Sequence, residues 1–394
     1  MNKPYYEFFC PVKIIAGEAA LEHIPFEYQA LGAKRILIIT DKGVRQNQLL
    51  KPIEQAFAQT DVVVADIFDD VPADSSLDTV KHVAQRYRDG NCDAILAVGG
   101  GSVIDTAKAS NILVSEGGDD LMKFAGAHRL SRALKPLFVV PTTSGTGSEA
   151  TMVAVVTDRE RQVKLAFASY FLLPNAAILD ARMTQTLPSH LTAMTAMDAL
   201  THAIEAYTCM AANPMSDAYA TAAIKMVSEH IFLAIEQPQH QQARLALAQA
   251  ATMAGAAFSN SMVGLVHALG HALGAVAHLP HGLCMNLFLP YVLDYNKDVN
   301  GDKIGELLLP LAGAEIYMQT PMDKRAERVI RYIEEMRDRL YSQCQLPRTL
   351  QETGKVSREQ FTAIVERAID DGSIIFNPKE TTRQDLMQLL EKAW

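Results

Sequence analysis

Along the first half of the chain, short aliphatic and β-branched runs alternate with stretches of helical spacing. Arg35–Thr40 reads as a strand and ends in a polar turn at Asp41, Lys42 and Gly43. Val62–Phe68 reads as a second, and Ala94–Val98 as a third that runs into Gly99, Gly100 and Gly101. Leu137–Val140 is a fourth, closed by Pro141. Between them lie segments such as 76–89, where Leu77, Val80, Val83 and Ala84 recur with a helical period. Strands alternating with helices predict a parallel sheet covered on both faces. Val153–Thr157, Val163–Phe167 and Ala176–Leu179 read as further short strands.

The pattern changes after Leu187, Pro188 and Ser189. From there to Trp394 strand signals all but vanish. Ala/Leu/Met-rich segments with helical spacing cover roughly 189–208, 215–236, 241–276, 283–294, 301–313, 321–345, 358–370 and 381–393. Pro214, Pro238, Pro280, Pro290, Pro347 and Pro378 read as stops or starts of these helices. The spacing therefore predicts two domains, an α/β domain over 1–187 and an all-helical domain over 188–394. Leu245–Val266 carries no formal charge and is long enough to span a bilayer. Its polar residues Gln249, Thr252, Ser259, Asn260 and Ser261 instead predict a buried helix that continues toward His267.

Composition fits two ordinary globular domains. The chain has 394 residues, of which 49% are hydrophobic and 21% charged, enough to bury a sizeable core. Its net charge of −9 and lack of a Lys/Arg cluster argue against a nucleic-acid partner. Five cysteines without a CxxC pair suit a reducing compartment. The expectation is a cytoplasmic protein with no membrane span.

Two loops suggest an anion site. Gly99, Gly100, Gly101 and Ser102 follow a buried strand and precede a helix. Backbone amides and a helix N-terminus can cradle a phosphate there, although a tight strand-to-helix turn needs the same glycines. Residues 141–149, Pro-Thr-Thr-Ser-Gly-Thr-Gly-Ser-Glu, add hydroxyls after the next strand. Open α/β sheets bind ligands at that edge, so the pair points to a nucleotide or dinucleotide. Asp41 ends another strand. It suits either a ribose contact or a helix cap.

Four of the 11 histidines lie between 267 and 281: His267, His271, His278 and His281. His267 and His271 are four apart and share a helix face, as do Asp198 and His202 on an apolar helix. An apolar helix does not bury a carboxylate and an imidazole without compensation, and a divalent cation supplies it. Asp/His ligation suits zinc, iron, nickel or copper.

In these residues the chain resembles the iron-containing, group III alcohol dehydrogenases. Four motifs carry the resemblance, in the family's order. They are Gly99-Gly-Gly-Ser-Val-Ile-Asp-Thr-Ala-Lys108, the loop Pro141–Glu149, Met197-Asp-Ala-Leu-Thr-His-Ala-Ile-Glu-Ala206, and His267-Ala-Leu-Gly-His-Ala-Leu-Gly-Ala275 with Leu279-Pro-His-Gly282. The resemblance implies a Rossmann-like dinucleotide-binding α/β domain followed by an all-α metal-binding domain. It implies metal ligation by Asp198, His202, His267 and His281, and proton transfer by His271. Cofactor contacts would come from Gly99, Gly100, Gly101, Ser102, Asp105, Thr142, Thr143, Thr146 and Lys164, with Asp41 favouring NAD over NADP. Val153, Phe258 and Phe376 would line the substrate pocket, Phe376 standing where relatives often have glycine. The implied activity is NAD-dependent, metal-dependent interconversion of small primary alcohols and aldehydes by hydride transfer. Fe2+ is the implied metal and Zn2+ the alternative, in a homodimer or larger homo-oligomer. Rival readings are a glycerol, diol or hydroxy-acid dehydrogenase of the same fold, and a metal-dependent hydrolase, which would have no use for two phosphate-cradling loops.

Overall fold

The computed structural model describes residues 5–161 and 163–394. These fall into two compact units. One is Phe9–Leu187; the other is Pro188–Trp394 together with residues 5–8. The N-terminal residues thus depart from the expected division. Phe8 packs its ring 5.4 Å from that of Tyr219 in the helical unit.

In the first unit, the described strands are β1 (Lys13–Ala16), β2 (Arg35–Ile39), β3 (Val63–Phe68), β4 (Ala94–Gly99), β5 (Gly126–Ala127), β6 (Leu137–Pro141), β7 (Val153–Asp158), β8 (Val163–Ala168) and β9 (Ala176–Leu179). The described helices are α1 (Ile24–Ala30), α2 (Lys42–Gln46), α3 (Lys51–Phe57), α4 (Leu77–Asp89) and α5 (Gly101–Glu116). Six of these strands form one sheet in the order β1-β9-β6-β4-β2-β3. Every pairing in it is parallel.

Alternation along the strands builds both faces. Ile36, Ile38, Leu96, Val98 and Phe138 turn to one side, where they meet Ile24 and Tyr28 of α1 and Ile53 and Phe57 of α3. Leu37, Ile39, Ile95, Ala97 and Val139 turn to the other, against Val83 and Tyr87 of α4 and Val103 and Ile104 of α5. Full burial of one such aliphatic side chain contributes about 1.5–3 kcal/mol before ordering costs. This two-sided burial is why the strands read as continuous apolar runs.

β7 and β8 do not join the large sheet. They pair antiparallel with each other, and β5 pairs with β8. Their antiparallel pairing follows from how few residues lie between Asp158 and Val163, since a parallel neighbour needs a crossover of about a dozen residues or more. β1 carried no strand signal because it is an edge strand whose residues are mostly exposed.

The second unit is helical: α6 (Ser189–Thr208), α7 (Pro214–Glu236), α8 (Gln241–Ser261), α9 (Leu265–Ala277), α10 (His281–Glu306), α11 (Leu308–Gln319), α12 (Arg325–Cys344), α13 (Phe361–Ile369) and α14 (Arg383–Ala393). Small residues such as Ala196 and Ala203 of α6, Ala220 and Ala223 of α7, and Ala250 and Ala254 of α8 are fully buried in one core. Helix α7 has the length and apolar character of a membrane span, yet Ala220, Ile224, Val227 and Ile231 are buried within this core.

Two sequence expectations fail here. The expected helix over 241–276 is two helices. Met262 adopts φ +76°, and residues 262–264 separate α8 from α9. Pro290 does not end a helix: it lies inside α10, and the kink falls at Asn300 instead. Proline's missing hydrogen bond costs about 3 kcal/mol. Complete burial of Leu287, Phe288 and Leu289, with Val292 nearly so, offsets that cost.

Candidate functional site

In the α/β unit the connections from β2 and β4 leave in opposite directions, because β3 lies outside β2 while β6 lies beyond β4. Such a switch point is where open sheets bind ligands. Asp41 follows β2 there, and the glycine loop follows β4. The three glycines serve close packing. A Cβ on Gly99 would lie 2.5 Å from Val103 Cγ2, one on Gly100 3.3 Å from Thr143 Oγ1, and one on Gly101 2.9 Å from Thr146 Cγ2. Their absence lets the hydroxyl loop close on the N-terminus of α5, which no side chain caps. An uncapped helix start beside threonine hydroxyls fits a phosphate.

Other residues named from the sequence are partly taken up by the protein itself. Asp41 Oδ1 accepts from the Val44 N–H at 2.9 Å, capping α2. Ser102 Oγ donates to the Ala73 carbonyl. Asp105 accepts from Ser148 Oγ at 2.7 Å and from the Val155 N–H at 3.1 Å, which ties α5 to the hydroxyl loop and β7. Lys164 is exposed on β8, 3.8 Å from Asp74. Val153 is half-buried on β7, and its carbonyl accepts from the buried Lys108 Nζ at 3.0 Å. Thr142 is buried, while Thr143 and Thr146 are partly exposed.

In the helical unit, one ligating atom each from Asp198, His202, His267 and His281 lies within 4.8 Å of every other. Helix α6 supplies the first two, one turn apart. The start of α9 supplies His267, and His281 opens α10. Asp198 Oδ1 is 3.7 Å from His202 Nδ1 and 3.4 Å from His281 Nε2. Asp198 and His267 are each 2% exposed and His202 4%; His281 is partly exposed. Asp198 Oδ1, His202 Nδ1 and His267 Nε2 are buried without a hydrogen-bond partner. Burial pushes the Asp198 carboxyl up to about 8. It holds His202 and His267 well below the ordinary imidazole value, with the charge of His271 adding to the effect. Orphaned lone pairs of one carboxylate and neutral imidazoles fit a divalent iron or zinc ion, whose charge compensates the buried carboxylate.

Aromatic packing surrounds the cluster. Phe258 stacks on the His202 ring at 4.3 Å. His271 stands outside the four, half exposed, stacked on His281 at 5.3 Å. Its Nδ1 is 2.9 Å from Asp371 Oδ2. Phe376 is half-buried, and its carbonyl accepts from the Met210 N–H at 2.9 Å. His278 is exposed with φ +52° and takes no part in the cluster.

Gly282 sets the approach of α10. A Cβ there would lie 2.6 Å from the Met194 carbonyl oxygen and 3.2 Å from Asp198 Cβ. Gly282→Ala is expected to push the start of α10 off α6, costing about 1–3 kcal/mol. Thermal unfolding with and without Zn2+ measures this: the melting temperature falls and the gain on adding metal shrinks. An unchanged metal response would show that ligand spacing does not depend on this contact.

Two residues near the cluster escaped the sequence reading. Glu205 lies in the motif Met197–Ala206, one turn beyond His202, and faces His267 Nδ1. Asp371 holds His271 from 100 residues away. A signal existed for Glu205, since 198, 202 and 205 share one helix stripe. Nothing in the local sequence marks Asp371.

Comparison with known proteins fits this picture. Residues 11–181 match the model of the iron-containing alcohol dehydrogenase family, and residues 192–394 match that of the Fe-containing alcohol dehydrogenase family, C-terminal. The chain is 34% identical to the 1,3-propanediol dehydrogenase of Klebsiella pneumoniae, with all of both chains covered. It is 32% identical to the NAD-dependent methanol dehydrogenase of Bacillus methanolicus, over 98% of this chain and 99% of that one. A crystal structure of a 1,3-propanediol oxidoreductase superposes with a TM-score of 0.91 at 33% identity, covering 99% of this chain and 100% of the other. Motifs, paired glycine and histidine sites and whole-length similarity agree: the chain belongs to the iron-containing alcohol dehydrogenase family and is an alcohol dehydrogenase, an oxidoreductase.

Proposed function

We propose that this enzyme interconverts small primary alcohols and aldehydes with NAD as hydride carrier and one divalent metal ion per chain, Fe2+ first and Zn2+ second. The observation that carries the reading is the convergence of Asp198, His202, His267 and His281 around orphaned buried atoms. A methanol dehydrogenase and a 1,3-propanediol dehydrogenase among its relatives support the substrate class, and the former's NAD dependence supports the cofactor.

In this reading the four side chains hold the metal, which supplies Lewis-acid polarisation of the substrate oxygen when bound. The amides at the start of α5, with Thr142, Thr143 and Thr146, bind the pyrophosphate of NAD, the hydride acceptor in alcohol oxidation. Asp41 accepts from the ribose hydroxyls and repels a 2′-phosphate. His271 donates its Nδ1–H to Asp371, which leaves Nε2 to take the alcohol proton and to return it in aldehyde reduction. Phe258 shields one face of His202 and keeps water from it. Five free cysteines support a reducing, cytoplasmic setting. Assembly into a homodimer or larger belongs to the same proposal and is read by sedimentation.

The test is metal analysis of anaerobically purified protein, joined to an alcohol and aldehyde panel with NAD and NADP. About one metal per chain is expected. Chelation should abolish NADH formation, and Fe2+ or Zn2+ should restore it. Full activity in metal-free protein overturns the reading. Preference for glycerol, a diol or a hydroxy acid moves the enzyme to another branch of the fold. Asp41→Ser keeps the cap of α2 and removes only the charge. It is expected to shift the NAD/NADP ratio of kcat/KM by about tenfold toward NADP, or about 1.4 kcal/mol. An unchanged ratio removes Asp41 from cofactor choice.

A further inference from the structure

Glu205 is a carboxylate with no place in the machinery described so far, yet it is 5% exposed among the apolar residues of α6. An isolated carboxylate at such depth is costly, so its contacts carry information. Both oxygens are engaged at the start of α9. Oε1 accepts from the Val266 N–H at 2.7 Å. Oε2 faces Nδ1 of His267.

The backbone is shaped around this contact. Residues 262–264 break the helix just before α9, and Gly264 passes against the carboxylate, where a Cβ would lie 3.2 Å from Glu205 Oε1. The other ring nitrogen, His267 Nε2, is buried, has no hydrogen-bond partner and belongs to the four-residue cluster. One imidazole thus joins Glu205 on one edge to the candidate metal site on the other.

We propose that Glu205 is a positioning residue for the metal: by accepting the Nδ1 proton of His267 it fixes that tautomer and turns the Nε2 lone pair toward the ion, raising the site's affinity. The inference rests on the metal reading above and adds a residue to it. A ring that donates Nδ1–H to a carboxylate is a stronger and better aimed ligand through Nε2, and loss of such a partner weakens metal binding by roughly tenfold to a hundredfold. Glu205 Oε1 adds rigidity, because its bond to the Val266 amide pins the first turn that carries His267.

The experiment measures Zn2+ affinity of metal-free wild type and Glu205→Gln by competition with a chromophoric chelator. It adds the melting temperature of each metal-free protein and 15N spectra of the histidine rings. The expected result is a dissociation constant for Glu205→Gln raised roughly tenfold to a hundredfold. The metal-free melting temperature should be unchanged, and the tautomer signature of one buried histidine altered. Wild-type affinity in Glu205→Gln overturns the proposal while leaving the metal reading intact. So does a lowered metal-free melting temperature with unchanged affinity, which marks a purely structural contact. A wild type that binds no Zn2+ or Fe2+ overturns the metal reading, and the proposal with it. Should Glu205→Gln fail to fold, Glu205→Asp gives the same comparison. It keeps the charge but withdraws the oxygen by one methylene, and weakened binding is again expected; wild-type affinity in it overturns the proposal.

Discussion

Replacing His267 by alanine is expected to strip the metal from the protein and, as chelation does, to abolish NAD-linked alcohol oxidation, because the group that polarises the substrate oxygen is lost. His267 is 2% exposed and contributes one of the four ligating atoms. Its removal also leaves Glu205 buried without the ring it faces. That unsatisfied acceptor costs about 1–3 kcal/mol, although water entering the vacated space relieves part of it. Metal content by mass spectrometry and kcat/KM for a primary alcohol check the result. His278→Ala is the control. Its side chain is exposed and outside the cluster, so metal content and rate should match wild type. A His267→Ala protein that keeps its metal would mean the ligand set is misassigned.

His271→Ala is expected to behave differently: metal retained, KM little changed, and kcat lowered roughly a hundredfold to ten-thousandfold, the range for a general acid–base group. The separation follows from geometry. His271 touches the cluster only through ring packing, and its Nδ1 is held by Asp371 at 2.9 Å. Burial raises the Asp371 carboxyl, but the bond and charge of His271 and the Ser373 amide outweigh burial and leave it at about 2. A depressed carboxyl stabilises the fold above its ordinary value of 3.8, and that contribution is lost as pH falls through about 2. Above pH 4 Asp371 is therefore ionised and able to accept from His271 Nδ1. Asp371→Asn keeps an acceptor without the charge, so an intermediate loss of kcat is expected. Equal metal loss in His267→Ala and His271→Ala would overturn the division between ligand and proton carrier.

Much of this was legible along the chain because it is periodic or local. The unbroken apolar runs Ile36–Ile39 and Ala94–Val98 follow directly from a sheet buried on both faces. Asp198 and His202 are one helical turn apart, so their shared face needs no tertiary information. Other features were hidden because opposing effects cancel locally. The charge-free run 245–266 looked like one helix, and the break at 262–264 shows only where Glu205 meets the Val266 amide. Pro290 looked like a stop, but burial of its neighbours overrides its missing hydrogen bond. Asp41, Ser102 and Asp105 suited a cofactor by position, and each also holds a piece of its own unit.

By itself, then, the order of residues determined the alternating α/β half, the helical half, the glycine and hydroxyl loops and the candidate ligand pair on α6, since all of these depend on spacing along a single element. Tertiary structure decided which carboxylates serve which histidines. Glu205 reaches His267 across 62 residues and Asp371 reaches His271 across 100. Such pairings depend on how α6, α9 and the segment after α13 pack. That packing is set by the summed burial of many small apolar residues, and no local pattern encodes it.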